Sequence, residues 1–172
     1  MSGITAVALS VVFMLALDAK QDAPKGKSSK GDGGSSSSSG KKKKSSNEIP
    51  DDSGSGVRIV YSISLKRVWI VDSRGEASAV YSTRSGTLKP SLGSHKVESR
   101  RDNITGDDGS RIESVLYFER SRNGWIAMSA QQGLRDAESA PRLSGGGIRL
   151  PERASRDLWK AGTIGSKIVV VK

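Results

Sequence analysis

Residues 144–171, SGGGIRLPERASRDLWKAGTIGSKIVVV, constrain the fold of this chain more than any other stretch. The order is a glycine loop, a short strand or turn at Ile148-Arg149-Leu150, a helix, and a closing strand. Pro151 suits the first turn of a helix, where a missing N–H costs nothing. Ala154, Leu158 and Ala161 recur at the spacing of one buried helical face. Gly162 is expected to end the helix. Ile168 to Val171 is apolar and β-branched, as a buried strand requires.

Upstream of this unit, strand patterns dominate. Residues 57–63 (VRIVYSI) and 68–71 (VWIV) are apolar runs. Asp72-Ser73-Arg74-Gly75 is turn chemistry, so residues 68–71 and 77–82 are expected to form a hairpin. Residues 112–119 (IESVLYFE) and 125–129 (WIAMS) form a second, turning at Arg122-Asn123-Gly124. His95 opens another short strand. Residues 100–111 are polar and hold the turn Gly106-Asp107-Asp108-Gly109, and residues 132–142 read as an irregular, lid-like loop. Many short strands and one late helix predict a mainly β sandwich or barrel of about 115 residues, residues 57–172.

The C-terminal frame resembles the L,D-transpeptidase (YkuD-type) domain of bacterial cell walls. That family closes with Ser-His-Gly-Cys-Ile-Arg-Leu, a helix, and Gly-Thr-x-Val-Val-Val. Here the frame reads Ser144-Gly145-Gly146-Gly147-Ile148-Arg149-Leu150, a helix with Asp157 and Leu158, then Gly165-Ser166-Lys167-Ile168-Val169-Val170. Weaker matches precede it at Arg67-Val68-Trp69-Ile70-Val71, at residues 82–86 and at Pro90-Ser91-Leu92-Gly93. The resemblance implies an L,D-transpeptidase-like β fold with one helix near the C-terminus.

It also locates a departure. The family's His falls on Gly145 and its Cys nucleophile on Gly147, while its other motif His aligns near Ser129. The family's reaction needs a thiolate, a His that generates it, and N–H groups for the oxyanion. The chain has no cysteine, which excludes disulfides, a thiol nucleophile and thiolate metal sites. No catalytic residue is assigned, and the domain reads as a non-catalytic relative that recognises peptidoglycan or an anionic wall polymer. The alternative is residual transpeptidase or hydrolase activity through Ser144 or Ser129, although a serine without an adjacent base is a poor nucleophile. No cofactor and no metal are expected.

Four residues are candidates for ligand binding: Arg149, Ser144, Gly146 and Ser129. Arg149 can hold a carboxylate or phosphate bidentately, or form a structural pair with Asp157 or Glu152. The three glycines either turn their N–H groups toward an anion or form a flexible turn. Asp107-Asp108 and Asp136-Glu138 read as solvated turn residues, and His95 as a packed or edge residue. Trp69, Trp125 and Trp159 read as core or core-edge, with a surface sugar-stacking role open to one of them.

The remaining chain sets location. Residues 4–17 (ITAVALSVVFMLAL) are apolar, and residues 1–19 are expected to be a membrane anchor or signal segment, with a plain buried helix as the alternative. The domain would then face the extracytoplasmic side, or be secreted if the leader is cleaved. Residues 20–56 are rich in Ser, Gly and Lys and read as a disordered linker. The chain carries 28 basic and 18 acidic residues. That surplus admits a basic polyanion-binding module as a further alternative. Nucleic acid is not expected, because the basic residues are scattered and no recognition motif accompanies them.

Overall fold

Two apolar runs at opposite ends of the domain pair side by side at its centre. β1 (Arg58–Ser62) and β10 (Lys167–Val171) run parallel, with Ile59 opposite Ile168 and Val60 opposite Val169. The computed structural model describes residues 47–172. The expected anchor and residues 20–46 of the linker lie outside the described residues. Among the described residues no helix is long and apolar enough to cross a membrane.

β1 is flanked by β2 (Arg67–Val71) and then β3 (Ala77–Ser82), and β10 by β5 (Gly93–Lys96). The first sheet therefore has the order β3-β2-β1-β10-β5. Its central strands are buried on both faces, which is why their sequences run continuously apolar instead of alternating. Ile59, Tyr61, Val68, Ile168 and Val170 face the main core. Val60, Trp69, Val71, Val169 and Val171 form a second apolar cluster on the opposite face. Ile49 packs against that cluster, and Trp69 Nε1 donates to the Asn47 carbonyl at 3.1 Å. Ser53, in a 3₁₀ turn at Asp51–Ser53, is buried and accepts from Arg58. Residues 47–56, which the sequence groups with the linker, thus include positions packed on this sheet.

The second sheet holds β4 (Arg84–Ser85), β9 (Gly146–Pro151), β8 (Gly124–Gln131), β7 (Arg111–Ser121) and β6 (Ser99–Thr105), in that order. β8 and β9 are parallel, with Ile126 opposite Gly146 and Ser129 opposite Arg149. Side chains alternate across a strand. Ile126, Met128, Ile148 and Leu150 therefore enter the core, where Leu116 and Phe118 of β7 join them. Ala127, Ser129, Gly147 and Arg149 are left on the other face, and this alternation places the candidate site.

The domain is mainly β, with two mixed sheets and one short helix, α1 (Ser155–Ala161). Pro151 ends β9 instead of opening the helix, and a 3₁₀ turn at Glu152–Ala154 intervenes. Ala154 and Leu158 are fully buried, as their spacing predicts. Gly162 follows the helix with φ −95°, so it is not a left-handed cap. Its reason is space: a Cβ there would lie 2.1 Å from Leu116 Cδ1.

Two segments differ from expectation. Residues 99–105 form an edge strand, although most of their side chains are exposed and carry no apolar alternation. The segment 132–145 is tied down by buried Leu134, Ala137, Ala140 and Leu143, and by a 3₁₀ turn at Ala137–Ser139, so it is not a free lid.

α1 is also tied to the first sheet. The Tyr81 hydroxyl donates to the Asp157 carboxylate, and the Arg153 guanidinium lies 5.2 Å from the Tyr81 ring centre. Burial, followed by the Asp157 hydrogen bond and charge, pushes the Tyr81 hydroxyl up to about 12. The folded value exceeds the unfolded one of about 10. The stabilisation is therefore complete below about pH 10 and is lost as pH rises through about 12. Phenolate absorbance should show a late step near pH 12 that Tyr81→Phe removes. The alkaline loss of stability should shrink in the same variant.

Candidate functional site

Arg149 is the centre of the outward face of β8 and β9. It is 8% exposed. Nη1 donates to Ser129 Oγ at 2.9 Å, directly across the parallel ladder. Nε is buried without a partner. The guanidinium passes between two glycines. A Cβ on Gly106 would lie 2.8 Å from Nη2, whereas one on Gly147 would lie 3.5 Å from Nη1. A side chain at Gly106 would displace the guanidinium and Asp108 Oδ1, which would lie 2.7 Å away, whereas one at Gly147 would make an ordinary contact. A cavity of about 100 Å³ opens here, lined by Arg149, Asp107, Asp108, Arg142, Leu143 and Ser144.

Two aspartates share this face with the guanidinium and act on it through their charge. Burial pushes the Arg149 guanidinium below its ordinary value, while the Asp108 and Asp107 charges oppose the shift. Burial raises the Asp108 carboxyl, but hydrogen bonds from Ser110 and the Arg149 charge bring it below the usual carboxylate value. Among the described residues no ion pair within 4.0 Å joins Arg149 to either aspartate. The sequence offered Asp157 or Glu152 as structural partners for Arg149. This is corrected: Asp157 accepts from Tyr81, and Glu152 accepts from the Gly133 N–H. Asp107 and Asp108, read from sequence as solvated turn residues, face the guanidinium. Only the register through β6, β7, β8 and β9 brings them there, and no local signal announces it.

The four candidates separate by role. Ser144 is exposed and lines the cavity. Ser129 is fully buried, and its hydroxyl accepts from Arg149. Gly146 and Gly147 belong to β9 and are not a flexible turn. Of the three glycines only Gly145 adopts positive φ, at +65°. The Gly145 and Gly147 carbonyls accept from Leu88 and Gly86.

His95 belongs to another cluster, on edge strand β5. It packs edge-on against Phe118 at 5.5 Å, and Nε2 lies 2.9 Å from the Ser91 carbonyl oxygen. It does not line the Arg149 cavity. Trp69 is core, whereas Trp125 and Trp159, read from the sequence as core or core-edge, are 38% and 36% exposed. No described group of three or more His, Cys, Asp or Glu is placed to hold a metal ion. The arrangement supplies a buried cation, a small cleft and hydroxyls, which suits holding a carboxylate or other anion.

No family model matches the chain, and no curated protein matches it by sequence. Solved structures do match, and they define the fold as that of L,D-transpeptidase catalytic domains. L,D-transpeptidase 1 of Mycobacterium tuberculosis is 20% identical, covers 69% of this chain and 63% of its own, and has a TM-score of 0.51. An L,D-transpeptidase from Xylanimonas cellulosilytica is 18% identical over 69% of this chain and 62% of its own, with a TM-score of 0.52. The Enterococcus faecium L,D-transpeptidase is 17% identical over 68% and 50%, also with a TM-score of 0.52. The chain thus spans less than two thirds of the length of these structures.

Proposed function

We propose that this protein is an exported, membrane-tethered and non-catalytic domain that recognises a cell-wall component, a carboxylate of the peptidoglycan stem peptide, at Arg149. The observation that carries the reading is a buried guanidinium with a single protein hydrogen bond, beside a strand position that holds glycine. The shared fold supports a peptidoglycan-related role. Lack of cysteine in the sequence supports a binding role over transfer.

A serine route has less support. Ser129 is buried and engaged by Arg149, and Ser144 has no imidazole beside it among the residues lining its cavity. A serine needs such a base to attack a carbonyl.

The purified full chain should sediment with insoluble peptidoglycan. Arg149→Ala should weaken that binding about tenfold or more, as expected for a lost charge-assisted pair. Arg149→Lys should recover only part of it, because an ammonium cannot make the bidentate contact. Binding equal to that of a neutral β-domain control would end this reading. Incubation with disaccharide tetrapeptide and mass spectrometry tests the alternative. A cross-link or released D-Ala that disappears in Ser129→Ala or Ser144→Ala would establish an enzyme.

A further inference from the structure

A second and larger cavity, of about 570 Å³, lies at the corner where β3 passes into β4. It is lined by Lys66, Thr83, Arg84, Ser85, Lys89 and Glu138. Three cations and one carboxylate leave the lining with a surplus of two positive charges. Lys89 Nζ donates to Ser85 Oγ at 2.6 Å and to the Gly86 carbonyl at 2.8 Å, which fixes its ammonium beside β4. Arg84 Nη1 donates to the Glu138 backbone carbonyl at 3.1 Å, so the arginine is anchored to the 3₁₀ turn at Ala137–Ser139. Lys66 is positioned by its own backbone, whose carbonyl accepts from Thr83 N–H at 2.8 Å.

The floor of this cavity is unusual. Thr83 is 2% exposed, and its Oγ1 has no hydrogen-bond partner. The Tyr61 hydroxyl beside it is also buried and unpartnered. Burial pushes the Tyr61 hydroxyl up, and weak hydrogen bonding with the neighbouring Ser85 and Thr83 hydroxyls opposes that shift. Buried hydroxyls are normally satisfied, because one left unpaired has lost its water and gained nothing in exchange. Of these two hydroxyls only that of Thr83 belongs to the cavity lining, where it keeps hydrogen-bonding capacity among three cations.

We propose that this cavity binds a phosphate group. A tetrahedral oxyanion presents several terminal oxygens at once, and can accept from Thr83 and from cations placed around it. A planar carboxylate would meet fewer of these donors, and the cavity is larger than a carboxylate needs. Phosphate can arrive as a monoester on a small molecule or as a diester in a polymer. The donors are the same in both cases. This site is separate from Arg149 and does not depend on the function proposed there.

The test is titration of the full chain with inorganic phosphate and, separately, with a short glycerol phosphodiester, at constant ionic strength. Binding is read from calorimetry and ³¹P line broadening. Saturable binding of either is expected, and which one binds identifies the source. Lys66→Ala with Lys89→Ala should weaken it tenfold or more, and Thr83→Val should weaken it severalfold. Both lysines are exposed, so the double variant remains informative if Thr83→Val does not fold. Arg149→Ala should leave phosphate binding unchanged while weakening the wall binding, so that the two sites fail independently. Absence of saturable binding would overturn the proposal. So would an equal loss on replacing Lys96 and Lys160, which lie outside the cavity.

Discussion

Gly146→Ala is expected to unfold the domain far more readily than the same change one residue on. A Cβ at Gly146 would lie 2.3 Å from the Trp125 carbonyl oxygen and 3.0 Å from Ile126 Cα. Both are backbone atoms of β8, held by the parallel ladder to β9. Neither can rotate aside as a side chain would, so the two strands must part locally. Overpacking of this kind costs about 3 kcal/mol, which lowers Tm by on the order of 10 °C in a domain of this size. Gly147 differs. Its nearest neighbour for a Cβ is Arg149 Nη1 at 3.5 Å, an ordinary contact, and its φ is not positive. Gly147→Ala should stay within about 0.5 kcal/mol of the parent chain. Urea unfolding of the three proteins, followed by tryptophan fluorescence, checks the contrast. Equal midpoints for Gly146→Ala and Gly147→Ala would show that β8 and β9 are not as close as described.

The same pair of glycines shows what was legible in the sequence. Gly146 and Gly147 are identical letters in one run, and only the strand register separates a required glycine from a permitted one. Local features were readable. The turn after β2 is closed by Asp72, whose carboxylate accepts from the Arg74 and Glu76 N–H groups, all within one short stretch of chain. Ala154 and Leu158 mark the buried side of α1 by spacing alone. Strand β6 was not readable, because its exposed edge carries no apolar pattern and its partner comes later in the chain. The approach of Asp107 and Asp108 to Arg149 was hidden for the same reason: it is a product of four strands in register. The pinning of 132–145 rests on Leu134, Ala137, Ala140 and Leu143, whose spacing of three repeats through a segment otherwise polar.

Gly147→Cys is expected to fold and to carry a thiol more acidic than a free cysteine. Space permits it, since a Cβ at this position meets only Arg149 Nη1 and, at 3.8 Å, Arg149 Cζ. The guanidinium would stabilise the thiolate and draw its pKa below the free value of about 8.5. A shift of one unit corresponds to about 1.4 kcal/mol. The rate of alkylation by iodoacetamide against pH measures it, and the chain's lack of other cysteines makes the signal unambiguous. Arg149→Gln in the same background should return the midpoint toward about 8.5. Peptide-bond transfer is not expected from this change alone. No imidazole lies beside position 147 to protonate a leaving amine, and Ser129 is already engaged by Arg149. Placing a histidine at Gly145 meets a different obstacle, because φ there is +65° and a side chain would be strained. A thiol of ordinary acidity in Gly147→Cys would mean that the Arg149 charge does not reach this face of β9, and the carboxylate site proposed there would lose its basis.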